Sequence, residues 1–260
     1  MRIGIFPTSA AACAAGAEII IERFAASPVS VLGVATGSTP LELYAELRAA
    51  KAQGRFTLAY SRAFALDEYV GIAPDHPEAY RNVLRAELVG EEKTGLAEED
   101  LITPDGQDPD PDAAAKAYDT AIREVGGIDL QILGIGSDGH IAFNEPGSSL
   151  VSRTHHEALA AQTITDNARF FGNDLSQVPT SALTQGLGTI MEAREIMLLA
   201  FGSGKSAAVR ELVEGPISQR WPATILQMHP LVTVLLDEAA ASDLELTDLY
   251  RARWNLARHG

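Results

Sequence analysis

The chain predicts an α/β fold, a three-layer α/β/α sandwich of Rossmann-like type around a mainly parallel sheet. Three observations point there. Short apolar runs of strand length alternate with helix-length segments, the pattern of strands laid side by side with helices across their faces. Hydrophobic residues make up 46% of the 260, enough for a sizeable core. No internal repeat and no long linker divides the sequence, so residues 1–260 read as one domain.

The elements follow in order. Val29 to Ala35 reads as a buried strand, and Thr36-Gly37-Ser38-Thr39 as the loop after it. Pro40 opens a helix running to about Ala52, because Pro suits the first helical position and Thr39 can cap. Arg62 to Leu66 is a short strand ending at Asp67-Glu68-Tyr69, and Glu78 to Val89 is helical. The acidic, Pro-containing stretch Asp105 to Asp112 is surface loop, leading into a helix from Ala113 to Val125. Ile128 to Ile135 is the next strand. Thr165 to Phe171 reads as a short helix on an excursion, and Pro179 to Ala193 as helical in part. Glu195 to Phe201 is a strand, Gly202-Ser203-Gly204 turns into a helix from Lys205 to Glu214, and Leu231 to Leu236 is the last strand. Arg251 to Gly260 is basic and carries no readable motif.

Charge and cysteine content narrow the function classes. Lys and Arg number 20 against 35 Asp and Glu, a net charge of −15. Such a surface repels nucleic acid and anionic membrane, while a few cations gathered in one pocket still suit a small anion. No apolar run approaches a membrane span and no signal peptide is visible. Cys13 is the only cysteine, so no internal disulfide forms, which fits a reducing cytosol; the expected location is cytoplasmic.

The most informative stretch is Leu133 to Pro146, which packs Asp138, His140 and Glu145 behind an apolar run. Gly136 and Gly139 permit sharp bends that let these side chains converge. A His flanked by carboxylates makes a proton shuttle working near neutral pH. The three are also competent metal ligands, but the spacing matches no standard site, and a His merely held by a neighbouring carboxylate stays open. Gly134-x-Gly136-x-x-Gly139 matches the dinucleotide fingerprint literally, yet Pro146 and Gly147 break the helix that fingerprint needs.

The other candidates are anion-binding or basic. Free backbone N–H groups at a helix start, with the hydroxyls of Thr36, Ser38 and Thr39 around Gly37, suit a phosphate; a simple capped turn reads equally well. Asp67 stands where a strand ends, the place where open α/β sheets bind ligands, and is a general base or a solvated loop acid. Gly204-Lys205-Ser206 lacks the upstream Gly of a nucleotide P-loop, since Leu199 occupies that position, but Lys205 at a helix start can reach a single phosphate. Arg169, beside Phe170 and Phe171, is a second cation or a surface Arg packing on Phe170.

Together these segments closely resemble the glucosamine/galactosamine-6-phosphate isomerase family, and within it the glucosamine-6-phosphate deaminases. The resemblance rests on Ala35-Thr36-Gly37-Ser38-Thr39-Pro40, Leu66-Asp67-Glu68-Tyr69-Val70-Gly71, His76-Pro77-Glu78-Ala79-Tyr80 and Gly136 to Pro146. Ser152-Arg153-Thr154, Asn167 to Phe171, Pro179 with Ala182-Leu183-Thr184, and Gly202 to Lys205 extend it in family order.

The resemblance implies conversion of glucosamine 6-phosphate and water to fructose 6-phosphate and ammonia, with no metal and no organic cofactor. It implies Asp67 as the base moving a proton between C2 and C1, and His140 as the ring-opening acid/base with Asp138 and Glu145 as partners. Arg169, Lys205 and the loop Thr36, Gly37, Ser38, Thr39 match the phosphate grip, and about 159–179 matches an active-site lid. The implied partner is a small phosphosugar, with neither nucleic acid nor membrane, in a monomer or homo-oligomer. A related isomerase or lactonase on the same scaffold, or a sugar-phosphate sensor without turnover, are the competing readings. Activated members bind N-acetylglucosamine 6-phosphate through basic residues just after the Ser-Arg-Thr segment. Here His155, His156 and Glu157 stand there, which predicts weak or absent activation.

Overall fold

 Thirteen of the eighteen residues following Thr8 are Ala, Ile, Cys or Phe, and this apolar segment forms the first helix beside a strand that opens the chain. That strand, β1 (Arg2–Phe6), leads to α1 (Ser9–Ala26), which the Thr8 hydroxyl caps by accepting from Ala11 N at 3.2 Å. The computed structural model describes residues 1–256. It continues through β2 (Val31–Val34), α2 (Leu41–Ala52), β3 (Arg62–Ala65), β4 (Asp67–Tyr69) and α3 (Tyr80–Leu88). Then come β5 (Leu101–Ile102), α4 (Pro111–Glu124), β6 (Leu130–Leu133), β7 (His155–Ala158), α5 (Ala161–Asn167) and β8 (Ser181–Thr184). The rest are α6 (Leu187–Ile190), β9 (Glu195–Ala200), α7 (Ser206–Glu214), β10 (Val232–Asp237) and α8 (Thr247–Leu256).

Seven strands form one sheet in the order β1-β10-β9-β6-β2-β3-β5, every described pair parallel, with helices flanking it. This is the α/β architecture the sequence predicts. Val31–Val34 and Leu130–Leu133 are buried throughout, because helices cover both faces of a parallel sheet. Ile20, Leu32, Leu43, Leu198 and Val234 are fully buried in the main core, each such side chain contributing about 2 kcal/mol.

A second sheet, β4-β8-β7, is antiparallel. The chain leaves the large sheet after Ala65, and Asp67–Tyr69 pairs with Thr184, Leu183 and Ala182 instead. Two expectations change here. The stretch after Pro179 begins as the strand Ser181–Thr184, not a helix, because β4 and β7 pair with it on both sides; only Leu187–Ile190 is helical. The excursion helix starts earlier than expected, at Ala161, and ends at Asn167, with a 3-10 turn over Ala168–Phe170.

Thr39 does not cap α2. Pro40 itself holds a helical φ of −81° at the cap position, its carbonyl accepts Tyr44 N at 2.9 Å, and no side chain bonds the helix start. The basic stretch Arg251 to Gly260 is helical to Leu256, as the end of α8; its last four residues lie outside the described ones.

Candidate active site

Four neighbouring strands of the large sheet, β9-β6-β2-β3, deliver from their carboxyl ends the segments that carry the predicted residues other than Arg169, which stands in the turn after α5. That edge is where ligands bind in open parallel sheets. Two tyrosines fix where the loops start. Tyr44 of α2 donates to the Ala35 carbonyl at 2.7 Å and accepts Ala35 N at 3.0 Å, holding the end of β2. Tyr118 of α4 donates to the Ala65 carbonyl at 2.6 Å, holding the end of β3.

The loop after β6 folds back on itself. Gly136 N donates to the His140 carbonyl at 2.8 Å, and Gly139 N to the Gly136 carbonyl at 3.1 Å. Gly136 is required because a Cβ there would lie 2.4 Å from the His140 ring and 2.6 Å from Asp138 Oδ1. Gly139 has φ +85°, and a Cβ there would meet the Trp221 ring at 2.6 Å. Beyond it, Asn144 is buried and donates to the Ile141 and Gln185 carbonyls at 3.0 and 2.8 Å, while Phe143 N donates to Thr184 Oγ1 at 3.0 Å. The loop is thereby tied to β8, the partner of β4, and so to the strand that carries Asp67.

His140 Nδ1 lies 2.8 Å from Asp138 Oδ1 and 3.6 Å from Glu145 Oε2. Burial works against charge on the imidazole, but Asp138 and Glu145 outweigh it and push the His140 pKa up to about 9. Burial likewise disfavours the charged Asp138, and the bond to His140 overcomes it, holding Asp138 down at about 2. The ligand atoms of Asp138, His140 and Glu145 lie within 4.8 Å of one another, a spacing that also suits a divalent cation. A protonated His140 already supplies the positive charge with which both carboxylates pair.

Asp67 is only 6% exposed. Burial pushes its pKa up to about 8; the Glu68 charge adds to the rise and His140 opposes it, so Asp67 and His140 feel one another. Glu68 turns away. Its carboxylate accepts Tyr69 N, Tyr80 N and Arg81 N at 2.9, 2.9 and 2.8 Å, supplying the cap that α3 lacks at Ala79.

Of the predicted phosphate residues, Lys205 lies within electrostatic reach of Asp138 and of Arg169. Gly37 has φ +86°, Thr36 is half-buried near Tyr80, and the uncapped start of α2 follows Thr39. Ser38 is exposed and Thr39 half-buried. Lys205 stands just before α7; burial lowers its pKa, Asp138 and Asp166 oppose the fall, and Arg169 adds to it. Arg169 is exposed and places its guanidinium 4.6 Å from the Phe170 ring centre, the packing that the sequence left open.

Several residues have roles that the sequence alone does not assign. Tyr80 donates to the Tyr69 hydroxyl at 3.0 Å, and Asn167 donates to that hydroxyl at 2.9 Å, joining the segment after β7 to the strand of Asp67. Thr163 donates to Glu145 Oε1 at 2.5 Å. Gln185, Asn144 and Thr184 act only through the loop they hold. Tyr80, Asn144, Asn167 and Thr184 lie in the segments that carry the resemblance, but no local signal marks their roles, since each works through a partner distant in sequence.

Comparison with known proteins matches this arrangement. The family model described as glucosamine-6-phosphate isomerases/6-phosphogluconolactonase matches residues 7–235. A glucosamine-6-phosphate deaminase of Mycolicibacterium smegmatis is 54% identical over 251 residues, covering 96% of this chain and 95% of that protein. One of Beutenbergia cavernae is 55% identical with the same coverage. Among solved structures, a monomeric glucosamine-6-phosphate deaminase superposes with a TM-score of 0.90 at 36% identity, over 94% of this chain and all of that one. A 6-phosphogluconolactonase from Trypanosoma cruzi superposes at 0.75 with 22% identity over 94% of this chain and 97% of that one, a likeness of fold alone.

Proposed function

The chain belongs to the glucosamine-6-phosphate isomerase/6-phosphogluconolactonase family, and from that premise we propose how its residues carry out the family's deaminase reaction. It is a glucosamine-6-phosphate deaminase, an enzyme of amino sugar metabolism. The reaction takes glucosamine 6-phosphate and water to fructose 6-phosphate and ammonia. The observation that supports the roles best is the pairing of a buried carboxylate, Asp67, with a doubly braced imidazole, His140, at one sheet edge.

His140 opens the sugar ring. It gives a proton to the ring oxygen and takes up the one the C1 hydroxyl loses, producing the open-chain aldehyde. Asp67 then removes the proton on C2 while O1 takes its proton back from His140, leaving an enolamine across C1 and C2. Returned to C1, that proton converts C2 to an iminium ion, which water hydrolyses to the ketone with release of ammonia. A carboxylate in bulk water is a weak base toward carbon; burial raises the proton affinity of Asp67 toward the operating pH and suits it to this step. The two braces on His140 hold a proton ready and orient the ring.

The phosphate binds at Thr36, Gly37, Ser38 and Thr39, against the uncapped N–H groups of α2, with Lys205 and Arg169 supplying charge. Its binding energy positions C1 and C2 against the reacting groups. Residues of about 159–179 form the lid over this site, within a single domain. Among the described residues no helix is long and apolar enough to cross a membrane.

The test is ammonia release. The account expects one ammonia per fructose 6-phosphate formed from glucosamine 6-phosphate, with solvent deuterium appearing at C1 of the product. Tight binding of the phosphosugar without turnover would contradict it and favour a sensor.

A further inference from the structure

α5 has an unusual burial pattern. Its seven residues, Ala161–Asn167, have one buried member, and that member is polar: Thr163, 6% exposed. Burying a hydroxyl is unfavourable unless it finds a partner, and an apolar residue would pack there without that demand. The partner is Glu145. Thr163 Oγ1 donates to Glu145 Oε1 at 2.5 Å. The other carboxylate oxygen, Oε2, is buried, has no hydrogen-bond partner among the described residues, and lies 3.6 Å from His140 Nδ1.

A carboxylate has two equivalent oxygens and rotates freely when neither is held. Fixing Oε1 from α5 sets the plane of the group and leaves Oε2 facing the imidazole. We propose that Thr163 is a positioning residue, which orients Glu145 toward His140 and so makes proton transfer at His140 depend on α5 being seated over the site. The proposal rests on the role of His140 given above. The seat has a second tie in Asn167, which donates to the Tyr69 hydroxyl, so one short helix touches both the imidazole side and the Asp67 side of the cavity.

The charged groups around His140 define what a titration reads. Asp138 and Glu145 come from its own loop and Asp67 from β4; Lys205, at the head of α7, acts on Asp138, while Asp166 and Arg169 act on Lys205. Loss of the Thr163 bond changes only the Glu145 contribution. A loosely held Glu145 stabilises the imidazolium less, so the His140 pKa falls.

Thr163→Val keeps the shape and removes the hydroxyl; Thr163→Ser keeps the hydroxyl. The expected result for Thr163→Val is a fall in kcat of about tenfold with KM within about threefold of the parent, because the loss is in orientation rather than substrate binding. Its basic limb moves to lower pH by about half a unit or more, and the Ser variant restores both. Titration of the His140 ring by NMR, with no substrate present, shows the same downward shift in Thr163→Val and its recovery in Thr163→Ser. A parent chain that releases no ammonia overturns the deaminase mechanism alone, and the NMR titration then decides the Thr163 claim by itself. A Thr163→Val protein with the parent's His140 titration overturns the claim, as does a Ser variant shifted as far as the Val variant.

Discussion

Around β6, β9 and β10 the interior is aliphatic, built from Ile132, Leu133, Leu198, Leu199, Val234 and Leu235. Between β4, β8 and the segment after β7 it is built from rings and hydroxyls: Tyr69, Phe143 and Phe171, with Tyr80 and Phe170 at the edge. Tyr69 has the rings of Tyr80, Phe143 and Phe171 at 4.6, 6.0 and 5.9 Å, and its hydroxyl joins those of Tyr80 and the amide of Asn167. The first region gains stability from contact area, with Gln131 of β6 as its buried polar exception. The second gives up some of that gain to bury Asp67 and Glu145, the first within electrostatic reach of His140 and the second with Oε2 3.6 Å from its Nδ1. Stability and chemistry are thus concentrated in different regions of one chain.

The sharpest way to break that division is Asp67→Asn. Turnover should fall by about a thousandfold or more, the scale of a lost general base. Stability should move the other way. The folded pKa of Asp67, about 8, stands above its unfolded value, so the folded state loses stability as pH rises from the ordinary carboxylate range through 8. Asn removes that loss. The variant should melt above the parent by about 3 °C or more at pH 9, with a smaller difference at pH 5. Equal melting temperatures at pH 9 would count against a buried, strained carboxylate.

The converse change is Leu198→Ala in the aliphatic region. Leu198 is fully buried, and truncation should cost about 3 kcal/mol in denaturant unfolding. The kcat of the protein that remains folded should stay within about twofold. A large fall in kcat there would mean that the two regions are coupled.

A pH profile of kcat/KM sharpens the comparison without any mutation. The reaction needs Asp67 ionised and His140 protonated. Activity should therefore rise as pH passes about 8 and decline as it passes about 9, a narrow bell. The smallest effect expected is with N-acetylglucosamine 6-phosphate as activator. His155 and Glu157 pair with each other at 2.9 Å, and Arg153 is already bound by Asp119 and Glu192, so neither Arg153 nor His155 is free to take a phosphate there. Rate assays with the activator should change by less than about twofold, which bears on β7 alone.

The same contrast explains what could be read in advance. Val31–Val34, Leu130–Leu133 and Glu195–Ala200 declare themselves because burial on both faces writes an apolar run into the sequence. His155–Ala158 contains two histidines and a glutamate and forms a strand only because β8 pairs with it. Ser181–Thr184 likewise shows no strand pattern of its own, its extended form being set by two partner strands. Asp67, Asp138 and His140 stood out because each follows a buried run at a strand's carboxyl end. Glu68, Asn144, Thr163 and Gln185 did not, because what each holds is a backbone group or carboxylate supplied by a remote segment. Sequence patterns record burial well and record tertiary hydrogen bonds hardly at all.

The central claim is that one cavity grips a phosphate at one end and moves protons at the other. A crystal structure with a bound amino-sugar phosphate tests it most directly. The account predicts the phosphate among Thr36 to Thr39, Lys205 and Arg169, the Asp67 carboxylate facing C1 and C2, and the His140 ring at the ring oxygen. A phosphate held elsewhere, or a sugar whose C1 and C2 lie out of reach of Asp67, would contradict it.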